Sequence, residues 1–215
     1  VDSRKIDSRD IGGRTPLHSA AFKGSVDCLD LLLSSGANFR LSDNDNRLAL
    51  HYAASQGHYL CVFTLVGYGS DPNAQDVNGA TCLHLAAAAS NPADNSGQCV
   101  RYLLDHRADP QIRDKRGFTS IHYAVAGGNQ PALEALLHDT NLGATVTGNN
   151  NPTPSPSTSL NQLNQLILPT QNVVPTTNPT TPALTPLHLA AYHGHAEILR
   201  QLLPMFPSTN IREDT

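Results

Sequence analysis

The sequence predicts an all-α fold, a solenoid of stacked helical hairpins, from three observations. A tetrapeptide, Thr-Pro-Leu-His in its first and last copies, occurs five times in the 215 residues. The histidines that end these copies are 33, 33, 38 and 66 residues apart. Most copies are followed by an alanine pair and then by a leucine pair. Because an internal period near 33 residues is typical of repeat architectures, it indicates the fold class before any single element is considered. The five histidines are His18, His51, His84, His122 and His188.

The first helix of each unit is predicted to begin at the tetrapeptide. Thr15 suits the N-cap position, and Pro16 loses no hydrogen bond as the first helical residue. Leu17, Ala20 and Ala21 follow at i, i+3 and i+4 spacing, which places them on one apolar face. We therefore expect first helices to start near residues 16, 49, 82 and 120.

A second helix completes each unit. In the first copy, Gly24 ends the first helix, and Leu29, Leu32 and Leu33 then form a single apolar stripe. Gly36 follows, and glycine readily adopts the left-handed conformation that ends many helices. Cysteines precede this leucine stripe in three units, so we expect Cys28, Cys61 and Cys99 to be buried thiols.

The turns that lead into the units share the pattern Asp-x-x-Gly. It occurs at residues 10–13, 76–79 and 114–117, and Asn46 replaces the glycine in the second unit. The pattern predicts a tight turn with a positive-φ corner, which glycine and asparagine tolerate best.

The chain divides into two blocks of repeats with an insertion between them. Residues 1–141 hold four units, and residues 184–215 hold a fifth that is truncated at the next turn. Residues 142–183 are rich in Asn, Thr and Pro and contain too few apolar residues to form a core. We expect this insertion to be disordered rather than a decayed repeat, since no landmark of the unit survives in it.

Composition excludes several functions. The net charge is −4 with 15% charged residues and no basic run, which argues against nucleic-acid binding. The longest apolar runs, such as residues 85–89, are far shorter than the roughly 20 residues that span a bilayer. No Cys-x-x-Cys pair is present, so we expect free thiols in a reducing compartment and no zinc site.

Candidate catalytic and metal sites find no support in the sequence. His188, His193 and His195 form the densest histidine cluster, but no carboxylate lies at metal-ligand spacing beside them. Residues 43–47 begin like a calcium loop, yet Arg47 occupies a ligand position and no glutamate closes the loop. The sequence therefore predicts no catalytic residue, no metal, no cofactor and no small-molecule substrate.

Together these phrases resemble the ankyrin repeat, with Asp-x-x-Gly-x-Thr-Pro-Leu-His-x-Ala-Ala-x-x-Gly-His as the shared pattern. The resemblance covers about three quarters of the chain. It implies L-shaped units in a curved solenoid. It also implies that the turns project as β-hairpin fingers and that each repeated histidine hydrogen-bonds the finger backbone. The finger tips and first helices would form a concave surface for protein partners.

Variable positions on that implied surface are the candidate binding residues. Lys115, Arg116 and Phe118 combine cations with an aromatic ring on one finger of an otherwise acidic chain, which predicts an acidic partner patch. The alternative is a merely solvated finger. The full set comprises Phe22, Lys23, Arg47, Gln56, Val77, Asn78, Lys115, Arg116, Phe118 and Tyr192.

A closer resemblance rests on the sequence segments at residues 50–54, 63–67, 112–117 and 186–195. With the insertion before the last unit, they are similar to the regulatory ankyrin-repeat subunits of serine/threonine protein phosphatase 6. That resemblance implies a non-catalytic scaffold for a phosphatase catalytic subunit and its adaptor, located in the cytoplasm with the nucleus left open. Two alternatives remain: a generic ankyrin domain of a membrane-cytoskeleton adaptor or channel, and the targeting arm of an enzyme whose catalytic domain lies outside this chain.

Overall fold

The computed structural model describes residues 6–89, 96–142 and 185–205. These residues form ten α-helices in five consecutive pairs and contain no strand. The pairs are α1 (Pro16–Lys23) and α2 (Val26–Ser34), α3 (Ala49–Ser55) and α4 (Tyr59–Gly67), α5 (Cys82–Ala88) and α6 (Ser96–Asp105), α7 (Ser120–Ala126) and α8 (Gln130–Leu142), and α9 (Pro186–Tyr192) and α10 (Ala196–Leu202), followed by a 3-10 turn (Leu203–Met205). None of the described helices is long and apolar enough to cross a bilayer.

The helices stack in two layers. The inner helices, α1, α3, α5, α7 and α9, contact one another in that order, and the outer helices α2, α4, α6 and α8 do the same. The inner helix α9 packs directly on α7 although residues 127–185, which include α8, separate them in the chain. The described residues therefore form an all-α repeat solenoid that continues from the fourth unit to the fifth.

The core runs along the interface between the two layers. Inner helices contribute fully buried large side chains at equivalent positions, and small alanines beside them let neighbouring helices approach closely. Outer helices supply the facing side chains. The largest of these buried residues are Leu17, Leu50, Leu83 and Ile121 on the inner helices and Leu29, Leu65, Leu103, Leu133, Leu136 and Leu202 on the outer helices.

The cysteines only partly match their predicted environment. Cys61 and Cys99 are buried, and burial raises the pKa of their thiols to about 11 and about 12. Cys82 is buried as well, which raises the pKa of its thiol. The prediction was wrong for Cys28, which is exposed. Its helix α2 contacts a single outer neighbour, α4, whereas α4 and α6 each lie between two.

Each Asp-x-x-Gly turn is held by its aspartate. In the third finger, Asp76 Oδ1 accepts hydrogen bonds from the backbone N–H groups of Asn78 (2.8 Å) and Ala80 (3.0 Å), while the Asp76 N–H donates to the Ala80 carbonyl at 2.9 Å. Asp10, Asp43 and Asp114 make the same bonds in their own turns. These turns, residues 10–14, 43–47, 76–80 and 114–118, are called fingers below.

Adjacent fingers are joined by single backbone hydrogen bonds. The N–H of Val77 donates to the Asp45 carbonyl, and that of Lys115 donates to the Asn78 carbonyl, both at 2.9 Å. The described fingers contain no strand, so the β-hairpin form is not shown. A turn of five residues with one bond to each neighbour is too short for a ladder.

The corner of the fourth finger supports a stability prediction. Gly117 has a φ of 85°, with nothing near the position of an added Cβ, so Gly117→Ala introduces backbone strain alone. We expect it to lower the free energy of unfolding by about 1 kcal/mol. The matched control is Gly67→Ala, at an open helical position, which should raise that free energy by up to about 1 kcal/mol. Urea denaturation of both variants measures the change in the free energy of unfolding. A decrease for Gly67→Ala or an increase for Gly117→Ala would contradict the assignment of backbone strain to position 117.

Candidate functional site

Three of the repeated histidines connect their inner helix to the chain segment at or just before the next finger. The Thr15 N–H donates to His18 Nδ1 at 3.1 Å, so Nε2 carries the ring hydrogen and donates to the Arg47 carbonyl at 3.0 Å. His84 repeats this arrangement, with Nε2 3.1 Å from the Phe118 carbonyl. His51 bonds instead to the Ala74 carbonyl, at 3.0 Å. The rings of His18 and His84 therefore fix the fingers that follow them, and the ring of His51 fixes the segment just before the third finger.

Burial lowers the pKa of the four histidines in the first four repeats, His18, His51, His84 and His122. The pKa of His122 falls to about 4. The His188 side chain is exposed, and its Nδ1 lies 2.8 Å from Thr185 Oγ1. The first four imidazoles are consequently neutral structural groups at pH 7.

A groove of about 420 Å³ opens between the second, third and fourth fingers and the inner helices α5 and α7. Three consecutive repeats contribute to its walls. Cationic side chains lie on the finger side, and apolar groups come from Ala80, from α5 and from α7. The lining residues are Arg47, Asp76, Asn78, Ala80, Leu85, Lys115, Arg116 and Tyr123.

Two of the three groove cations are paired with buried carboxylates. Arg47 Nε lies 3.3 Å from Asp76 Oδ2, which connects the second finger to the third. Arg116 Nε lies 3.5 Å from Asp114 Oδ2, and its guanidinium is 5.3 Å from the centre of the Phe118 ring. Both aspartate side chains are only 1% exposed. The two guanidinium groups are thus held in place by buried charges.

Tyr123, on α7, is hydrogen-bonded to the fourth finger. Its hydroxyl donates to Asp114 Oδ2 at 2.9 Å, and its ring lies edge-on to His84 of the preceding repeat. Tyr123 and then Asp114 raise the pKa of Arg116, which keeps that guanidinium charged.

Lys115 is different from the two arginines. Its backbone N–H is bonded to the third finger, but its ammonium group makes no hydrogen bond or ion pair within the described residues. The side chain is exposed at the mouth of the groove. It therefore offers an uncompensated positive charge at a fixed backbone position.

The structure brings together four of the ten candidate residues. Arg47, Asn78, Lys115 and Arg116 line the groove, and the others lie outside its lining. Val77 and Phe118 are on the same fingers but do not line it. The remaining four lie at the C-terminal ends of inner helices: Phe22 and Lys23 on α1, Gln56 after α3 and Tyr192 on α9.

Sequence reasoning missed the groove residues Asp76, Ala80, Leu85 and Tyr123. A usable signal existed for the tyrosine, because in two of the four repeats a tyrosine follows the finger aspartate nine positions later. The structure shows both pairs bonded, Asp43 to Tyr52 and Asp114 to Tyr123. Burial and the Asp43 carboxylate also raise the pKa of Tyr52 to about 12.

Comparison with protein families gives the same architecture independently. A model of three-copy ankyrin repeats matches residues 2–76 and 61–149, and a model of the single ankyrin repeat matches residues 184–213. The chain belongs to the ankyrin-repeat family. No curated protein matches the ankyrin-repeat chain in sequence. Ankyrin repeats form protein–protein interaction domains that are typically non-catalytic.

The described part of this ankyrin-repeat chain holds no group of three or more His, Cys, Asp or Glu side chains arranged to bind a metal ion. The His193 and His195 rings, which the sequence singled out with His188, stack with centroids 5.9 Å apart. The start of the calcium-like loop is the second finger, where Asp43 is used by backbone N–H groups and by Tyr52.

Proposed function

We propose that this chain is a protein-binding scaffold whose groove recognises a partner, and that it acts as a regulatory subunit directing a serine/threonine protein phosphatase to substrates. The observation that carries the binding surface is the convergence of three cations, one from the second finger and two from the fourth, on one groove. A single repeat could not form it, because Arg47 and Arg116 come from different units. Stacking of repeats therefore builds the recognition surface.

Rigid fingers favour this role. Each finger is fixed by its aspartate, and the second, third and fourth are also joined to a neighbouring finger by a backbone hydrogen bond. A partner that binds the exposed side chains does not have to order these backbones, so little of the binding energy is lost to conformational entropy.

The phosphatase assignment rests on the sequence phrases at residues 50–54, 63–67, 112–117 and 186–195. The proposed partners are the phosphatase 6 catalytic subunit and its adaptor, and the proposed location is the cytoplasm, with the nucleus left open. A generic ankyrin domain of an adaptor or channel, and the targeting arm of an enzyme, are the competing proposals.

Affinity purification of the full-length protein from native lysate tests the phosphatase assignment. We expect the phosphatase 6 catalytic subunit to be retained above an unrelated ankyrin-repeat control. Its absence, under conditions in which other proteins are reproducibly enriched, would overturn the phosphatase assignment and leave a scaffold with different partners.

Charge reversal tests the groove itself. Lys115→Glu combined with Arg116→Glu should reduce recovery of at least one co-purifying protein about tenfold or more, because both cations become repulsive to an acidic partner. Arg116→Glu also removes the partner of the buried Asp114 carboxylate, so the double variant should lose some melting temperature. Lys115→Glu alone, at an exposed ammonium with no ion pair among the described residues, should weaken binding with little change in melting temperature. The matched control is Arg101→Glu, at an exposed position on the outer helix α6. Equal recovery of every partner by the double variant and the wild type would contradict a binding role for the groove.

A further inference from the structure

Resting on the proposed binding role, the structure assigns a partner chemistry to the groove: we propose that it takes a single carboxylate side chain that stands next to an apolar residue in a segment of the partner protein. The argument depends on which groove charges are already neutralised. It also depends on the apolar groups that line the groove beside those charges.

The charges around the groove leave one positive charge unmatched. Arg47 is paired with Asp76 and Arg116 with Asp114, each through the guanidinium Nε and the carboxylate Oδ2. Lys115 has no such partner among the described residues. Asp45, at the tip of the second finger, does not line the groove. One carboxylate would therefore neutralise the groove.

A phosphate monoester fits this balance less well. It carries a charge of about −1.5 to −2 at neutral pH, which exceeds the single charge of Lys115. Asp76, which lines the groove, would then face an uncompensated negative charge, and like charges at short distance repel. A carboxylate bound to Lys115 avoids this repulsion and gains a charge-assisted hydrogen bond.

The apolar part of the groove defines the neighbouring residue. Ala80 is 2% exposed, and Leu85 and the Tyr123 ring are half-buried beside the cations. An apolar side chain placed against these groups removes nonpolar surface from water. The Asn78 side chain, exposed at the rim, is free to hydrogen-bond the partner's backbone. The occupant is thus an acidic side chain with an apolar neighbour.

A peptide-display selection tests this chemistry without reference to any phosphatase. A library of random 12-residue peptides is selected on the wild-type protein, on Lys115→Gln and on Arg101→Gln, the matched loss of one exposed charge on α6. We expect wild type and Arg101→Gln to enrich peptides with Glu or Asp beside an apolar residue. Lys115→Gln should lose that enrichment, and the Kd of an enriched peptide should rise about tenfold or more for it.

The same peptide, resynthesised with glutamine or with phosphoserine in place of its acidic residue, separates the alternatives. Glutamine should weaken binding about as much as Lys115→Gln does, and phosphoserine should bind more weakly than glutamate. Tighter binding of phosphoserine would overturn the single-carboxylate assignment in favour of a phosphopeptide. Enrichment that ignores acidic residues, or that persists in Lys115→Gln, would overturn it entirely. Because no phosphatase is present, a positive selection stands even if the affinity purification retains no catalytic subunit.

Discussion

Acidification from pH 7 towards pH 4 should sharply destabilise this protein, because four imidazoles are buried in the neutral form. Their Nδ1 atoms accept hydrogen bonds from backbone N–H groups, so a proton added there would displace a bond and place a charge inside the solenoid. The pKa of all four is lowered by burial, that of His122 to about 4.

The direction of this pH dependence follows from the number of protons that the folded and unfolded states bind. Below about pH 6.5 the unfolded chain protonates its histidines, whereas the folded chain keeps them neutral until its own lower pKa is reached. The unfolded state then binds more protons, and the free energy of unfolding falls as the pH falls. Each such histidine contributes a slope of up to about 1.4 kcal/mol per pH unit in this window.

Urea denaturation at a series of pH values between 7 and 4.5 measures this slope. In His122→Gln the slope should be smaller than in the wild type, even though the variant is less stable at pH 7. His138→Gln, at an exposed position on α8, is measured beside it as the loss of an imidazole outside the buried set. Parallel curves for His122→Gln and the wild type would show that this imidazole is not responsible for acid sensitivity.

Leu103→Ala should lower the free energy of unfolding by about 2–5 kcal/mol, because it removes a fully buried side chain and leaves a cavity. Leu103 lies on α6, which contacts both α4 and α8, so the loss weakens interfaces on two sides. In a repeat solenoid, the free energy of unfolding is approximately the sum of the stabilities of the units and of the interfaces between neighbouring units. A loss at one interface therefore appears directly in the total.

The matched control is Leu60→Ala on the neighbouring outer helix α4, where the leucine is 58% exposed. Its cost should stay within about 0.5 kcal/mol. Denaturation curves for the two variants, fitted with a common slope, make the comparison direct. A cost for Leu103→Ala below about 1 kcal/mol, or equal costs for both variants, would contradict the placement of Leu103 in the core.

The all-α repeat architecture was predictable because its signals are local. Thr15, Pro16 and the apolar residues after them carry helix information within a few positions, and the repetition of the pattern supplies the rest. The environment of Cys28 was not predictable in this way, since equivalent positions in sequence become inequivalent when a helix lacks one neighbour. Its exposure depends on place in the stack rather than on local sequence.

The groove was only half predictable for a related reason. Arg47 and Lys115 could be chosen as variable finger positions, but the pairing of Arg47 with Asp76 depends on the distance between two fingers. That distance is set by how the repeats stack. The sequence therefore identified cations without showing which of them are neutralised. The insertion predicted as disordered comprises residues 142–183, of which only Leu142 is described, as the last residue of α8. The rest lies outside the described part of the chain, and its disorder remains a prediction.

The direct packing of α9 on α7 makes the stretch between the fourth and fifth units tolerant of added residues. Where the added residues are flexible, the entropy lost in closing the connection grows only with the logarithm of its length, and doubling that length costs only about 0.6 kcal/mol. The interface between the two helices need not change when residues are added or removed there. Relatives with the same five units could thus differ widely in size between the fourth and fifth, and a labelling tag or a second binding module could be placed there without opening the stack.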